Sequence, residues 1–536
     1  MAKILEKVLS KRGAKTASHD DFLIHTLLEV AENPFHPTDN PKVSSDRELG
    51  ARGGEKDTFY RKVMHVSQGH TVTAMEAFNT SMMTSDQYHP YTGSRKRMAS
   101  PLGKPKFITL ENSPNHPTHL HSQAKDIIYK GIVNLGTAFN ALMSDKLCER
   151  MRQRDALDIQ PHLLQYFDMT GTPELKEAMV AFFNRHFHPH VPVLPSQVVV
   201  MSGVTSCLDA LGHALCDPGD IIITPTPVYG RIITDFRDVT EINMDYLNLS
   251  EGEEDSDTGN GFTLRVEDVE NRINSLKEQG LRVGAVILLN PHNPLGDVYP
   301  PHFLLRLLDV CAQHKIHAIV DEVYALSVFK EGVEFHSVLS LDVPDPRRTH
   351  VLWGMSKDFG NPGMLVGVVV TRSKEVLACL QNSSVFKAVP SVIQQAATVI
   401  LNDIAWSDEY FLPTKKQQLR AAFEYARERL DKMGVIVRDS SAGLFIWFSV
   451  QRFLKHKTEE EELALHKELL EAGVYTVPGV IFYCITPGWM RIVFSTGHQD
   501  LKEGLDRLEM VLKRREPHNT NGILHTCSKD HIPELP

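Results

Sequence analysis

The sequence predicts an α/β protein with a mainly parallel sheet in a large domain and a second, smaller α+β domain. Three observations lead there. Between residues 197 and 371 short apolar runs alternate with helical patterns, the rhythm of strand–helix–strand units. Polar residues stand at the carboxyl ends of successive runs, the edge where open α/β sheets bind ligands. After residue 410 a long amphipathic helix leads into two well-separated strands, a different texture from the alternating part.

The strands are expected at VVVM (198–201), IIIT (221–224), AVILLN (285–290), HAIVDE (317–322), HVLWG (350–354) and MLVGVVVT (364–371). Each is a short apolar run, several of them rich in β-branched residues, as strands buried on both faces require. Between them PHFLLRLLDVCAQH (301–314) places apolar residues at helical spacing behind an initial proline. Further on, KKQQLRAAFEYARERLDKM reads as a long amphipathic helix, followed by strand GLFIWFSV, another helix and strand RIVFS. The domain plan is a disordered extension over 1–125, an arm over 126–165 that joins the small domain, the large domain over 166–405, the rest of the small domain over 406–515, and a loose tail over 516–536. GEEDSDTGNG is an acidic loop inside the large domain.

Composition narrows the function. At 536 residues, 42% hydrophobic and 23% charged, the chain has material for more than one core, and no apolar run approaches the ~20 residues of a membrane helix. The lysine-studded start lacks the apolar stretch of a secretory signal, so a soluble cytoplasmic protein is expected. Seven scattered cysteines form no CxxC pair and read as buried free thiols. A net charge of −10 argues against a nucleic-acid partner, and the short run Arg95–Arg97 does not change that. The triplets His116, His119, His121 and His186, His188, His190 sit in proline-containing loops without carboxylates or cysteines at metal spacing, so no metal site is expected. Dinucleotide, nucleotide, zinc-protease and serine-hydrolase signatures are all missing.

Asn293 follows the third strand in NPHNPLG. Asp321 ends the fourth, with Tyr324 three residues on, and Lys357 follows the fifth in GMSKDFGNPG. With DPGDIIITPTPVYG, SAGLFIW and PGWMRIVFS these segments, in this order, resemble fold-type-I pyridoxal-phosphate enzymes, the class I/II aminotransferases, and within them the 1-aminocyclopropane-1-carboxylate synthase-like group. The resemblance covers roughly residues 130 to 515. The spacings of 28 residues from Asn293 to Asp321 and 36 from Asp321 to Lys357 are also similar to the family's. It implies the fold-type-I architecture with a seven-stranded-type sheet, a homodimer, and pyridoxal 5′-phosphate held by Lys357 as a Schiff base. Asp321 is then implied to face the pyridine nitrogen, Asn293 and Tyr324 the phenolic oxygen, and Tyr229 the ring face. Arg491 would hold the α-carboxylate of an amino-acid substrate, with Asn293 beside it, through a planar fork that lysine lacks. Val204, Thr205 and Ser356 would bind the phosphate, the first two at a helix N-terminus.

The chain also departs from the family. Gly354, Leu365 and Met169 stand where a hydroxyl residue, an arginine and a tyrosine would bind the phosphate, and Phe139 stands where plant-type synthases carry a glutamate facing the sulfonium of S-adenosylmethionine. The resemblance therefore implies transamination or β/γ elimination on an α-amino acid, and disfavours cyclopropane formation. The alternative is a catalytically degenerate relative that keeps the fold for binding or assembly.

Overall fold

In a computed structural model, residues 131–250 and 261–516 are described. The extension over 1–125, the first histidine triplet, the Arg95–Arg97 run, most of the acidic loop and nearly all of the tail lie outside those residues. The chain runs through β1 (Val133–Asn134), α1 (Ser144–Met151), α2 (Pro173–His186), β2 (Val198–Ser202), α3 (Gly203–Leu215), β3 (Ile221–Thr226), α4 (Gly230–Thr240), β4 (Asn243–Asn248), α5 (Val266–Glu278), β5 (Val283–Leu289), α6 (Pro301–His314), β6 (His317–Asp321), β7 (Thr349–Gly354), α7 (Met355–Asp358), β8 (Val366–Thr371), α8 (Lys374–Ser384) and α9 (Ser391–Asn402). A large sheet takes the order β2-β8-β7-β6-β5-β3-β4. Its pairs are parallel except those of β8, which runs antiparallel to both β2 and β7.

Alternate residues of each strand pack into different layers, the period-two consequence of the pleat. Val199, Met201, Ile222, Ile287, Ile319, Leu352 and Val369 face one core with Leu208 and Leu211 of α3. Val198, Val200, Ile223, Leu288, Val320, Trp353 and Val368 face the other, with Phe182 of α2 and Leu304 of α6. Burial on both faces is why these strands read as continuous apolar runs. Edge strand β4, NMDYLN, is only half-buried and carries no such run, so the sequence reading passes it over. Strand β8 starts at Val366, later than expected, because Pro362–Met364 forms a helical turn closed by Leu365 in the left-handed region, φ 53°.

The chain continues with α10 (Leu412–Lys432), β9 (Ile436–Val437), β10 (Phe445–Ser449), α11 (Glu459–Glu471), β11 (Val474–Tyr475), β12 (Val477–Pro478), β13 (Trp489–Val493) and α12 (His498–Arg515). An antiparallel sheet β12-β13-β10-β9 packs on these helices. The segment after residue 131 reaches these elements: β1 pairs in parallel with β11, and Leu135 fills the space left by Gly504 of α12, where an added Cβ would lie 2.6 Å from its Cδ1.

Among the described residues no helix is long and apolar enough to cross a membrane, and no group of three His, Cys, Asp or Glu is placed to hold a metal. His186 instead sits 3.1 Å from the Asp408 carboxylate. Cys207 and Cys311 are buried thiols, but Cys148 and Cys379 are exposed, contrary to the expectation for the cysteines as a set.

Candidate active site

Five turns leave the same edge of the large sheet, after β2, β3, β5, β6 and β7, and each carries one or more of the expected residues. Lys357 lies in the short helix α7, not in an irregular turn, and its Nζ donates to the Ala138 carbonyl at 2.7 Å. Burial and the Arg491 cation lower its pKa to about 8, with Asp321 pulling the other way. Asp321 is 5% exposed and accepts a hydrogen bond from Val323 N at 3.1 Å; burial pushes its pKa up to about 6. A buried carboxylate with one hydrogen bond and one nearby cation, Lys357, is costly to hold ionised unless a further positive partner faces it.

Arg491 lies on β13, in register with Trp447 of β10 and Val477 of β12. It is 3% exposed, and its guanidinium lies between the rings of Phe482, 4.7 Å from the centroid, and Phe445, 5.3 Å away. One nitrogen donates to Asn293 Oδ1 at 3.0 Å and another to the Gly136 carbonyl at 2.5 Å, while Nε has no partner. A buried guanidinium N–H without an acceptor is the feature an incoming carboxylate would satisfy. Asn293 is 2% exposed, and because its oxygen is taken by Arg491, its amide donors remain for another acceptor. Tyr324 is buried against Phe445, edge-on at 5.3 Å, and burial raises its pKa. Tyr229 immediately precedes α4, and burial raises its pKa too.

Ile481 and Phe482 pack over this turn. Val228 N donates to the Phe482 carbonyl at 2.9 Å, and Gly230 lies so close to Ile481 that a Cβ there would be 2.2 Å from its carbonyl oxygen. Only glycine admits that approach.

Val204 and Thr205 form the first turn of α3, with Thr205 exposed and Gly203 at φ 78°. Ser202 at the cap makes no side-chain hydrogen bond to this turn, which leaves the helix N-terminus available to an anion. Ser356 is half-buried in α7. These groups fit a phosphate, but the structure changes the meaning of Gly354. A Cβ at that position would lie 2.7 Å from the Val366 carbonyl and 3.1 Å from Val204 Cγ2, and one at Gly367 only 2.3 Å from the Gly203 carbonyl carbon. The two strands are pressed against the α3 terminus, so the missing hydroxyl leaves no room behind it. Leu365 is 52% exposed and Met169 half-buried.

The structure thus brings Lys357, Asp321, Asn293, Tyr324, Tyr229 and Arg491 to one edge, with Val204, Thr205 and Ser356 beside them. Motif reading missed the carbonyls of Gly136 and Ala138, because a backbone group leaves no mark in residue type. It also missed Phe445 and Phe482; Phe445 lies in SAGLFIW, but nothing in that motif marks the ring as a cover for an arginine 46 residues later. Phe139, next to Ala138, is partly exposed.

The family model described as Aminotransferase class I and II matches residues 130–508. A protein of Takifugu rubripes, 1-aminocyclopropane-1-carboxylate synthase-like protein 1, is 37% identical over 384 residues, 72% of this chain and 62% of that protein, so the match spans less than two thirds of the relative. Probable inactive 1-aminocyclopropane-1-carboxylate synthase-like protein 2 of Mus musculus is 34% identical over 74% of this chain and 68% of its own length. Among solved structures, a double mutant of Thermus thermophilus aspartate aminotransferase superposes with a TM-score of 0.63 at 22% identity, covering 74% of this chain and 97% of the other, which establishes likeness of fold.

Proposed function

The chain belongs to the aminotransferase class I and II family, and from that premise we propose that it is a pyridoxal-phosphate-dependent enzyme acting on an α-amino acid, with Lys357 holding the cofactor. Membership of this family, with its fold, implies pyridoxal 5′-phosphate as the cofactor. The observation that carries the proposal is the meeting of a lysine with depressed pKa, a buried carboxylate and a buried arginine with an unpartnered N–H at one sheet edge. When bound, the cofactor supplies an electron-withdrawing ring that stabilises negative charge at the substrate Cα.

The chain's own residues have separate tasks in this reading. Lys357, lowered to about pKa 8, is neutral often enough near pH 7 to act as nucleophile, and later to take the Cα proton. Asp321 would keep the bound ring nitrogen protonated. Asn293 and Tyr324 would donate to the phenolic oxygen, and Tyr229 would pack against the ring. Arg491 orients the substrate through its carboxylate, and the Phe445 and Phe482 rings exclude water from that ion pair, which strengthens it. Val204, Thr205 and Ser356 hold the phosphate.

Transamination and β or γ elimination share this machinery. Phe139 supplies no carboxylate for a sulfonium, so S-adenosylmethionine should be a poor substrate. A second reading, a relative that binds without turning over, is favoured by the missing phosphate donors at Gly354, Leu365 and Met169 and by the name of the mouse relative, which describes it as probably inactive. An amino-acid panel, scored separately for keto acid, ammonia and cyclic product, decides between them. Keto acid or ammonia above the protein-free control supports an enzyme. No product from a protein carrying stoichiometric cofactor supports the second reading.

We further infer a homodimer. Leu164, Tyr166, Leu365, Val385 and Phe386 are exposed large apolar residues. They flank segments tied together by Ser391 to Leu163 O, Thr172 N to Gln394 and Ser202 N to Lys387 O, beside the α3 terminus. A second copy seated there would cover them.

A further inference from the structure

Asp358 and Lys415 form an ion pair with both side chains fully buried, directly behind the proposed cofactor lysine. The Asp358 carboxylate accepts from Trp353 Nε1 at 3.0 Å, Leu326 N at 3.2 Å and Ser327 Oγ at 2.7 Å. Lys415, from α10, donates to the Asp358 carbonyl at 2.9 Å and reaches its carboxylate at 3.5 Å. Three elements meet on one side chain: β7, which leads into α7; the turn after β6, which follows Asp321 and carries Tyr324; and α10, the helix after residue 411.

Burying a lone lysine in the first turns of a long helix is costly, and its pKa is lowered by that burial. An ion pair of this kind adds little net stability over an apolar pair of equal shape, so its use lies in fixing a geometry. Asp358 follows Lys357 directly, which makes its anchoring the anchoring of Lys357. The contacts to Leu326 and Ser327 lock the β6 turn to α7, and Ser327 in turn ties to the segment before β10, its carbonyl accepting from Gly443 N at 3.0 Å.

We propose that Asp358, held by Lys415, is the positioning residue that sets Lys357 against Asp321 and Tyr324. The proposal rests on the reading of Lys357 as the cofactor-holding lysine, but its consequence extends to the cofactor-free protein. The Lys357 amine is faced by Arg491 from β13, by Asp321 from β6 and by the Ala138 carbonyl from the segment after β1. If Asp358 is freed, α7 loosens, the amine moves toward water, and its titration shifts up toward the ordinary lysine range.

The test uses the full chain without added cofactor. Lys357 is titrated by pH-dependent reductive methylation read by peptide mass spectrometry, in the wild type, in Lys415→Met and in the milder Ser327→Ala, which removes one hydroxyl donor to Asp358. Expected are midpoints higher than wild type by about one unit for Lys415→Met and about half a unit for Ser327→Ala, where one unit is a tenfold change in protonation ratio. After cofactor addition and borohydride reduction, the pyridoxyl adduct on Lys357 should fall by about tenfold in Lys415→Met. Should Lys415→Met fail to fold, Ser327→Ala decides alone. A lowered Tm with an unmoved midpoint in the folded variants would overturn the proposal and leave Asp358 and Lys415 a purely structural pair. Absence of any adduct on Lys357 in the wild type would instead overturn the cofactor assignment, while the midpoints still decide the positioning role.

Discussion

Arg491 is fully enclosed, with two nitrogens occupied and one without a partner, so its value to a ligand lies in the flat geometry of the fork. Lysine keeps the charge but replaces the fork with a single point. Arg491→Lys should therefore raise KM for the amino acid by about 10- to 100-fold, the loss of one charge-assisted hydrogen bond worth ~1.5–3 kcal/mol, while cofactor affinity changes by less than about threefold. Equal losses in both would assign Arg491 to structure alone. A second prediction concerns Lys357. Its amine must be neutral to react, and burial beside Arg491 brings its pKa down to about 8. The rate of cofactor attachment, followed by visible absorbance, should thus climb with pH below about 8 and level off above it. A rate still climbing past pH 10 would mean a solvated lysine. NPHNPLG, HAIVDE and SKDFGNPG fix both residue type and spacing, so the sequence pointed to Asn293, Asp321 and Lys357, which the fold places at one sheet edge, but nothing in it marked Phe445 and Phe482 as the rings around Arg491. The carbonyls of Gly136 and Ala138 were not legible either, since any residue there offers the same group.

At the scale of elements, the proposed phosphate site depends on how the strands meet a helix end. Strands β7 and β8 meet the α3 terminus through Gly354 and Gly367, and the packing tolerates no Cβ at either. The sequence shows Gly354 only as a missing hydroxyl donor, and the structure shows that no Cβ fits there. Gly354→Ser should lower Tm and cofactor retention together, because its Cβ meets the Val366 carbonyl, whereas Leu365→Arg starts from a half-exposed side chain next to Gly203 and should slow cofactor loss. Release measured by dialysis and absorbance distinguishes the two; retention improved by Gly354→Ser would show that the strands relax. The same strands show what sequence carries at this scale. β5, β6 and β7 are buried on both faces and announce themselves as apolar runs, while β4 sits half-buried at the sheet edge and is silent. The reversed direction of β8 was equally invisible, since an apolar run has no direction. Trp353 ties β7 to α7 through its Nε1, which donates to the Asp358 carboxylate at 3.0 Å, and packs on Phe182 in the core, with centroids 4.9 Å apart.

At the scale of the whole molecule, the separate sheet after residue 410 was readable from the change of texture there and from helix periodicity. The pairing of β1 with β11 was not, because two residues make no pattern. The exposed face around Tyr166 and Phe386 predicts self-association, and at equilibrium in the ultracentrifuge the protein should sediment as a dimer. Phe386→Asp should shift it toward monomer and weaken cofactor retention, since the face adjoins the α3 terminus. A monomeric wild type that retains its cofactor would remove the second copy from the account. The central claim, that Lys357 is the residue that holds pyridoxal 5′-phosphate, is tested most directly by saturating the purified chain with cofactor, reducing with borohydride and mapping the pyridoxyl group by peptide mass spectrometry. The account predicts one adduct per chain, on Lys357, and its disappearance in Lys357→Ala; an adduct on a different lysine, or none at saturation, would contradict it.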